Sequence, residues 1–202
     1  GVKRATVQRK LDKALETINA QIALLEKKRA EKANLGRAQY LSDKDRCASD
    51  VAGLKTEIPD EIASFVEDEV KQLLSLYHKI QADSKKALES DRQYLQLSSK
   101  ADNMVSAAKR EIISLQTKCQ TLERRISGRA GYLDDEDSEA RVLRWKADDA
   151  KKQCYGASAV QDESVETMRK AHAAFLGISR SCKTYQDEYR RILSLGGDRL
   201  AA

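Results

Sequence analysis

The amino-acid sequence predicts an all-α protein, and three observations support this prediction. Apolar residues recur at alternating spacings of three and four along most of the chain, as in helices that pack along a seam. One proline and nine glycines occur among 202 residues, so few positions break a helix. Aromatic residues make up 5% and charged residues 34%, which is typical of long, exposed helices and argues against a sheet-based enzyme.

The N-terminal part of the chain predicts two helices, over residues 3–34 and 42–58. The apolar seam of the first consists of Leu11, Leu15, Ile18, Ile22 and Leu25. The seam of the second runs through Cys47, Val51, Leu54 and Ile58. Pro59 follows, and proline suits the first turn of a helix but cannot continue a helix interior. The sequence therefore places a helix junction at residues 58–60.

The central part predicts one unbroken helix from Ile62 to Ile126, because its seam continues there without glycine or proline. Its length of about 65 residues corresponds to roughly 100 Å. Gly128 and Gly131 end it. Two more helices are predicted, over 134–154 and 158–195, with a turn at residues 155–157 and a glycine pair at the end.

One sequence block occurs twice. Residues 36–45 and residues 128–137 share seven identities in ten, at an offset of 92. The block reads as a helix-ending turn, in which glycine adopts a left-handed conformation, tyrosine covers the end of the bundle and aspartate caps the next helix. The residues assigned to these roles are Gly36, Tyr40, Asp43, Gly128, Tyr132 and Asp135. A calcium loop is disfavoured, since the ligand alternation of such loops is missing.

This duplication and the helix pattern predict two repeats, residues 1–98 and 99–202, each with three helices. The arrangement resembles spectrin-type tandem repeats. The resemblance implies two antiparallel three-helix coiled-coil bundles in tandem that share one long continuous helix. Spectrin repeats usually carry a tryptophan in their first helix, whereas Trp145 falls in the second helix of the second repeat.

Cysteine and histidine positions predict no catalytic or metal centre. When the helices are folded about the predicted turns, Cys119, Cys154 and Cys182 lie on the order of 15 Å apart, too far for disulfides. We therefore expect four free thiols and a reducing, cytoplasmic setting. His78 and His172 occupy separate repeats, and His172 is expected to be a half-buried structural residue. No catalytic motif is present, so the sequence predicts a non-enzymatic protein without cofactors.

The net charge of +5 resides in residues 1–36, which hold nine basic and four acidic side chains, whereas the remainder is neutral. The uncompensated cations at the start are Lys3, Arg4, Arg9, Lys10 and Lys13. Two interpretations stay open: contact with an anionic partner, or a solvated first turn whose acidic neighbours are missing.

These observations favour a structural scaffolding rod, a spacer that binds other proteins through its helical faces. The start at Gly1 indicates a segment of a longer protein, of cytoskeletal or organelle-associated type by analogy of fold. The alternatives are a BAR-like membrane-binding dimer and a nucleic-acid adaptor that uses the basic N-terminal helix. The neutral charge of residues 37–202 disfavours both.

Overall fold

The computed structural model describes all 202 residues and confirms the all-α class. It contains five helices: α1 Arg4–Ala33, α2 Arg37–Ala52, α3 Asp60–Ala63, α4 Glu67–Ile126 and α5 Asp134–Ala201. The one β-type pairing is an isolated bridge between Lys3 and Tyr132. None of the five helices has the length and apolar character that a membrane crossing requires.

The turn between α1 and α2 depends on a glycine in the left-handed conformation. Helix α1 buries a seam with the predicted spacing and stops at Ala33. Gly36 then adopts φ +65°, which a residue with a Cβ rarely does, and α2 begins at the next residue. The start of α2 is therefore five residues earlier than the sequence predicted.

Helix α2 also ends earlier than predicted, at Ala52. Leu54 and Ile58, assigned above to its seam, instead lie in a non-helical segment that leads to Pro59. The predicted junction at Pro59 is confirmed, because α3 begins at Asp60. A turn at residues 64–66 separates α3 from α4.

Helix α4 confirms the long central helix. It spans 60 residues, or about 90 Å, and includes Ser98 and Ser99 without interruption. It ends at Ile126, and Gly128 follows with φ +79°. Its start is five residues later than predicted, because the turn at 64–66 intervenes.

Helix α5 corrects the prediction of two helices in the C-terminal part. It continues for 68 residues, through the predicted turn at 155–157 and past Gly196. An interior glycine costs only about 1 kcal/mol, and the burial of Cys154 and Ala157 on either side of Gly156 outweighs that cost. At Gly196 the absence of a side chain is required, since a Cβ would lie 2.8 Å from the Ile62 side chain.

The chain divides into two compact units. Unit 1 comprises residues 1–35 and 95–165, and unit 2 comprises residues 36–94 and 166–202. Both helices α4 and α5 therefore contribute one part to each unit. The sequence predicted contiguous halves, 1–98 and 99–202; the units are instead discontinuous, because α5 does not turn at residue 156.

The core of unit 1 is built from aliphatic side chains, alanine and cysteine. Its largest cluster joins α1 to the unit 1 parts of α4 and α5. The buried residues of this cluster are Val7, Leu11, Ala14, Ile18, Leu25, Ala108, Ile112, Leu115, Cys119, Leu122, Ile126, Leu133, Ala140, Leu143, Ala147, Ala150 and Cys154.

The core of unit 2 mixes aromatic and aliphatic side chains. Its buried apolar residues are Tyr40, Cys47, Ile62, Val66, Leu73, Ile80, Ala87, Tyr94, Met168, Ala171, Phe175, Ile178, Cys182, Tyr185 and Ile192. Asp43 and Asp91 are buried among them.

Candidate functional site

The most distinctive site in unit 2 is a cluster of polar side chains, three of them buried, which we call the polar cluster: Tyr40, Asp43, Lys44, Asp91 and His172. The Tyr40 hydroxyl donates a hydrogen bond to Asp91, and the Lys44 ammonium lies 2.6 Å from the other oxygen of that carboxylate. His172 Nε2 donates to Asp43 Oδ2 over 2.7 Å. The cluster thus ties α2 to α4 through one aspartate and to α5 through the other.

The neighbours of Asp43 and Tyr40 favour a carboxylate at the first residue and a neutral phenol at the second. The hydrogen bond from His172, followed by one from Gln39, lowers the pKa of Asp43. Burial and the adjacent Asp91 carboxylate raise the pKa of the Tyr40 hydroxyl, so the phenol stays protonated and donates. Tyr40, Asp43 and Asp91 are buried, whereas the side chains of Lys44 and His172 are 27% and 25% exposed.

Aromatic rings surround the polar cluster. The Tyr40 ring meets Tyr94, His172 and Phe175 at centroid distances of 5.6, 5.7 and 6.0 Å. The contacts with Tyr94 and His172 are edge-on, an arrangement that is favourable and directional. Together with the hydrogen bonds they fix the rotation of α2 against the other helices of unit 2.

The structure corrects the predicted roles of Tyr40 and Asp43. Both lie inside α2 and not at its end, and no side chain caps this helix. The sequence signal for the true arrangement was present, because Asp91 and His172 occupy positions of otherwise apolar seams. A carboxylate and an imidazole at such positions indicate buried polar partners.

The second copy of the duplicated block lies in a different environment, in unit 1. Gly128 has the predicted left-handed conformation, but Tyr132 is 66% exposed and packs on Gly1. Leu133 takes the buried position instead. Asp135 is exposed in the first turn of α5. Its negative charge is favourable at the positive end of the helix dipole, but it is not the capping residue.

The predicted basic segment starts beside the acidic first turn of α5. The backbone amide of Val2 donates to Asp134 Oδ1 over 3.1 Å, and the amide of Leu133 donates to the Val2 carbonyl over 2.9 Å. Lys10 lies 2.6 Å from Asp137. The basic segment therefore has acidic neighbours, Asp134 and Asp137, which lie about 130 residues away in the sequence.

The other predicted cations of that segment remain on the surface. Lys3, Arg4, Arg9 and Lys13 are exposed. None of these four side chains forms an ion pair with a carboxylate of α5, whereas Lys10 pairs with Asp137. The structure thus assigns Lys10 to an internal ion pair and leaves four of the five cations for solvent or a partner.

All four cysteines are free and buried. Cys47 and Cys182 belong to unit 2, and Cys119 and Cys154 to unit 1. The predicted placement of Cys182 in one repeat with Cys119 and Cys154 is wrong, because the uninterrupted α5 carries it into the other unit. Burial raises the pKa of Cys119 and of Cys182 to about 11, so these thiols are poor nucleophiles at neutral pH.

An apolar groove of about 270 Å³ lies between α1 and α4 in unit 1. Its apolar walls are Ile22, Leu25, Val105 and Ile113, and its charged lining residues are Glu26, Arg29 and Lys109. Contacts between Asn19 and the lining residue Gln116 and between Lys32 and Asp102 also join the two helices. Ile113 is 46% exposed at this groove.

Residues 54–58 lie between α2 and α3 on the surface of unit 2, and we call this segment the strap. Two hydroxyl groups from α5 hold it, since Tyr185 donates to the Lys55 carbonyl over 2.7 Å and Tyr189 to the Glu57 carbonyl over 2.6 Å. Open grooves of about 700 and 310 Å³ adjoin it. The lining of the larger groove includes Leu54, Ile58 and Leu193.

The structure contains no group of three or more histidine, cysteine, aspartate or glutamate side chains placed to hold a metal ion. Comparisons of the chain with protein families, with curated proteins and with solved structures find no match.

Proposed function

We propose that the chain is a non-enzymatic scaffold, a spectrin-like helical spacer that separates flanking modules of a longer protein and binds other proteins through its helical faces. The observation that carries this proposal is the continuity of α4 and α5, which have 60 and 68 residues and contribute to both units. A helix that is shared by two packed units transmits length and stiffness from one to the other.

Unit 1 has three helical segments, and unit 2 has three longer ones besides the four-residue α3, which supports a spectrin-like arrangement of short bundles. The proposal differs from tandem spectrin repeats in connectivity, because each unit draws its helices from two separate stretches of chain. A cytoskeletal or organelle-associated role follows by analogy only. Four buried free thiols support a reducing compartment such as the cytoplasm.

The groove between α1 and α4 is the face that we assign to a partner helix. Its aliphatic walls suit apolar side chains spaced three and four apart on such a helix. Arg29 and Lys109 outnumber Glu26 among its lining residues, so a helix with carboxylates beside its apolar stripe fits best.

Small-angle X-ray scattering of the chain tests the spacer. A compact protein of 202 residues has a radius of gyration of about 16–17 Å. We expect a value well above this figure and the distance distribution of a rod. A radius of gyration near the compact figure would contradict the spacer function.

A further inference from the structure

The contacts of the strap with α5 indicate that it is an extended chain. Tyr185 and Tyr189 are one helical turn apart, which separates them by about 6 Å along α5. The carbonyls that they hold belong to Lys55 and Glu57, and an extended chain separates such residues by about 6.6 Å. The match between these two spacings, together with the absence of helix, turn or bend over 54–58, shows an extended chain that lies along α5.

One edge of the strap accepts hydrogen bonds from α5, and the other edge makes none within the chain. In an extended chain the backbone groups of successive residues point to opposite edges. Since the Lys55 and Glu57 carbonyls face α5, the backbone groups of Thr56 and Ile58 face away from it. The Thr56 and Ile58 amides donate no hydrogen bond within the chain, and the side chains of both residues are only half-buried.

An unpaired strand edge is a template for another strand. We propose that this edge pairs with the strap of a second copy of the chain, in antiparallel register about a two-fold axis at Thr56. The Thr56 amides and carbonyls of the two copies would then exchange two hydrogen bonds. Two more would run from each Ile58 amide to the Leu54 carbonyl of the other copy.

The sequence of the strap, Leu-Lys-Thr-Glu-Ile, supports a second copy as the occupant because it is complementary to itself. In this register the two-fold axis creates two pairs of Lys55 with Glu57 of the other copy and two pairs of Leu54 with Ile58. The two Thr56 residues lie opposite each other at the axis. Each of these cross-strand pairs is favourable, and a two-fold contact between identical patches is the commonest form of self-association.

The dimer is expected to be weak and sensitive to salt. Four main-chain hydrogen bonds and two exposed ion pairs are a small interface, and salt screens exposed ion pairs. Sedimentation of the full chain at low salt, at concentrations up to on the order of 1 mM, should detect a monomer–dimer equilibrium.

Cysteine crosslinking tests the register. In a hydrogen-bonded antiparallel pair the two Cα atoms lie about 5.5 Å apart, a distance that a disulfide spans. Thr56→Cys should therefore form an intermolecular disulfide with oxidised glutathione as the oxidant. Lys55→Cys is the matched control: its two copies would be about 7–8 Å apart across the axis, near or beyond the limit. We expect crosslinking at least tenfold faster at residue 56.

Charge exchange tests the ion pairs. Lys55→Glu and Glu57→Lys should each raise the dissociation constant on the order of tenfold, because each puts like charges opposite one another twice. The double exchange within one chain, or an equimolar mixture of the two single variants, should restore the dimer.

Three results would overturn the proposal. A chain that stays monomeric at every concentration would exclude a second copy and leave the edge to a strand of another protein. Equal crosslinking at residues 55 and 56 would indicate random collision. A dimer with the same affinity in both charge variants would use a different surface. Unchanged circular dichroism of each variant shows that the chain remains folded.

Discussion

Unit 1 and unit 2 share two helices but fill their interiors by different chemistry. Unit 1 buries Glu136 and Asp137 in the first turn of α5 but has no aromatic side chain in its main core cluster. Unit 2 buries four aromatic rings, and one of them, Tyr40, donates a hydrogen bond to the buried Asp91. Apolar contacts depend on area and carry little directional information. The hydrogen bonds of the polar cluster, by contrast, require particular partners. The comparison shows that one pattern of seam spacing can support an aliphatic core and a directional one.

Breaking α4 within unit 1 is expected to have the largest effect. Ser99→Pro removes a helical hydrogen bond and introduces a steric clash, which costs about 3 kcal/mol or more. We expect the single melt to separate into two transitions. Far-ultraviolet circular dichroism should lose helix first, while the near-ultraviolet signal of the buried tyrosines in unit 2 persists to higher temperature.

Ser99→Ala is the control for this variant, because alanine favours a helix interior. If Ser99→Pro and Ser99→Ala melt alike, residues 98–100 do not form a helix in solution and α4 is not continuous.

Removing one hydroxyl should distinguish the two cores more selectively. Tyr40→Phe leaves the buried Asp91 with Lys44 alone, and an unsatisfied buried polar group costs about 1–3 kcal/mol. Denaturant unfolding should report this loss. The matched control is Tyr132→Phe, the same change at the corresponding tyrosine of the duplicated block. Because Tyr132 is exposed, we expect its effect to stay within about 0.5 kcal/mol. Equal losses of stability in the two variants would contradict the different environments assigned to Tyr40 and Tyr132.

Acid should weaken unit 2 through Asp43. The pKa of this carboxyl is lowered in the folded protein, mainly by the His172 hydrogen bond. Its contribution to stability is therefore complete above the ordinary aspartate pKa of about 3.9, and is lost as pH falls through the lower folded value. In His172→Leu, which has no hydrogen-bond donor, the Asp43 titration, followed by carbon NMR, should move to higher pH. An unchanged titration would mean that His172 does not hold Asp43 in solution.

The smallest expected effect is that of a reducing agent. Since all four cysteines are free, reductant should leave the melting temperature unchanged. Alkylation followed by mass spectrometry should modify them only when the surrounding unit opens, with Cys119 and Cys154 reporting unit 1 and Cys47 and Cys182 reporting unit 2. Rapid alkylation of the native protein would contradict the burial of these thiols.

The local sequence pattern predicted the positions of the helices better than it predicted which side chains of different helices meet. The seam from Ile62 to Ile126 identified α4, because an uninterrupted helical spacing needs no knowledge of its neighbours. At Gly156 the same reasoning failed, since packing of adjacent residues overrides the weak helix propensity of glycine. The polar cluster joins residues 51 and 129 positions apart, and no local spacing specifies which of them meet.

The two copies of the duplicated block are expected to evolve at different rates. Tyr40 and Asp43 are each bound to a distant side chain, so a replacement at either one is tolerated only with a matching change at Asp91 or His172. Tyr132 lies on the surface and has no such tie. Among diverging relatives, the first copy should therefore covary with α4 and α5 while the second drifts, until their common origin can no longer be recognised.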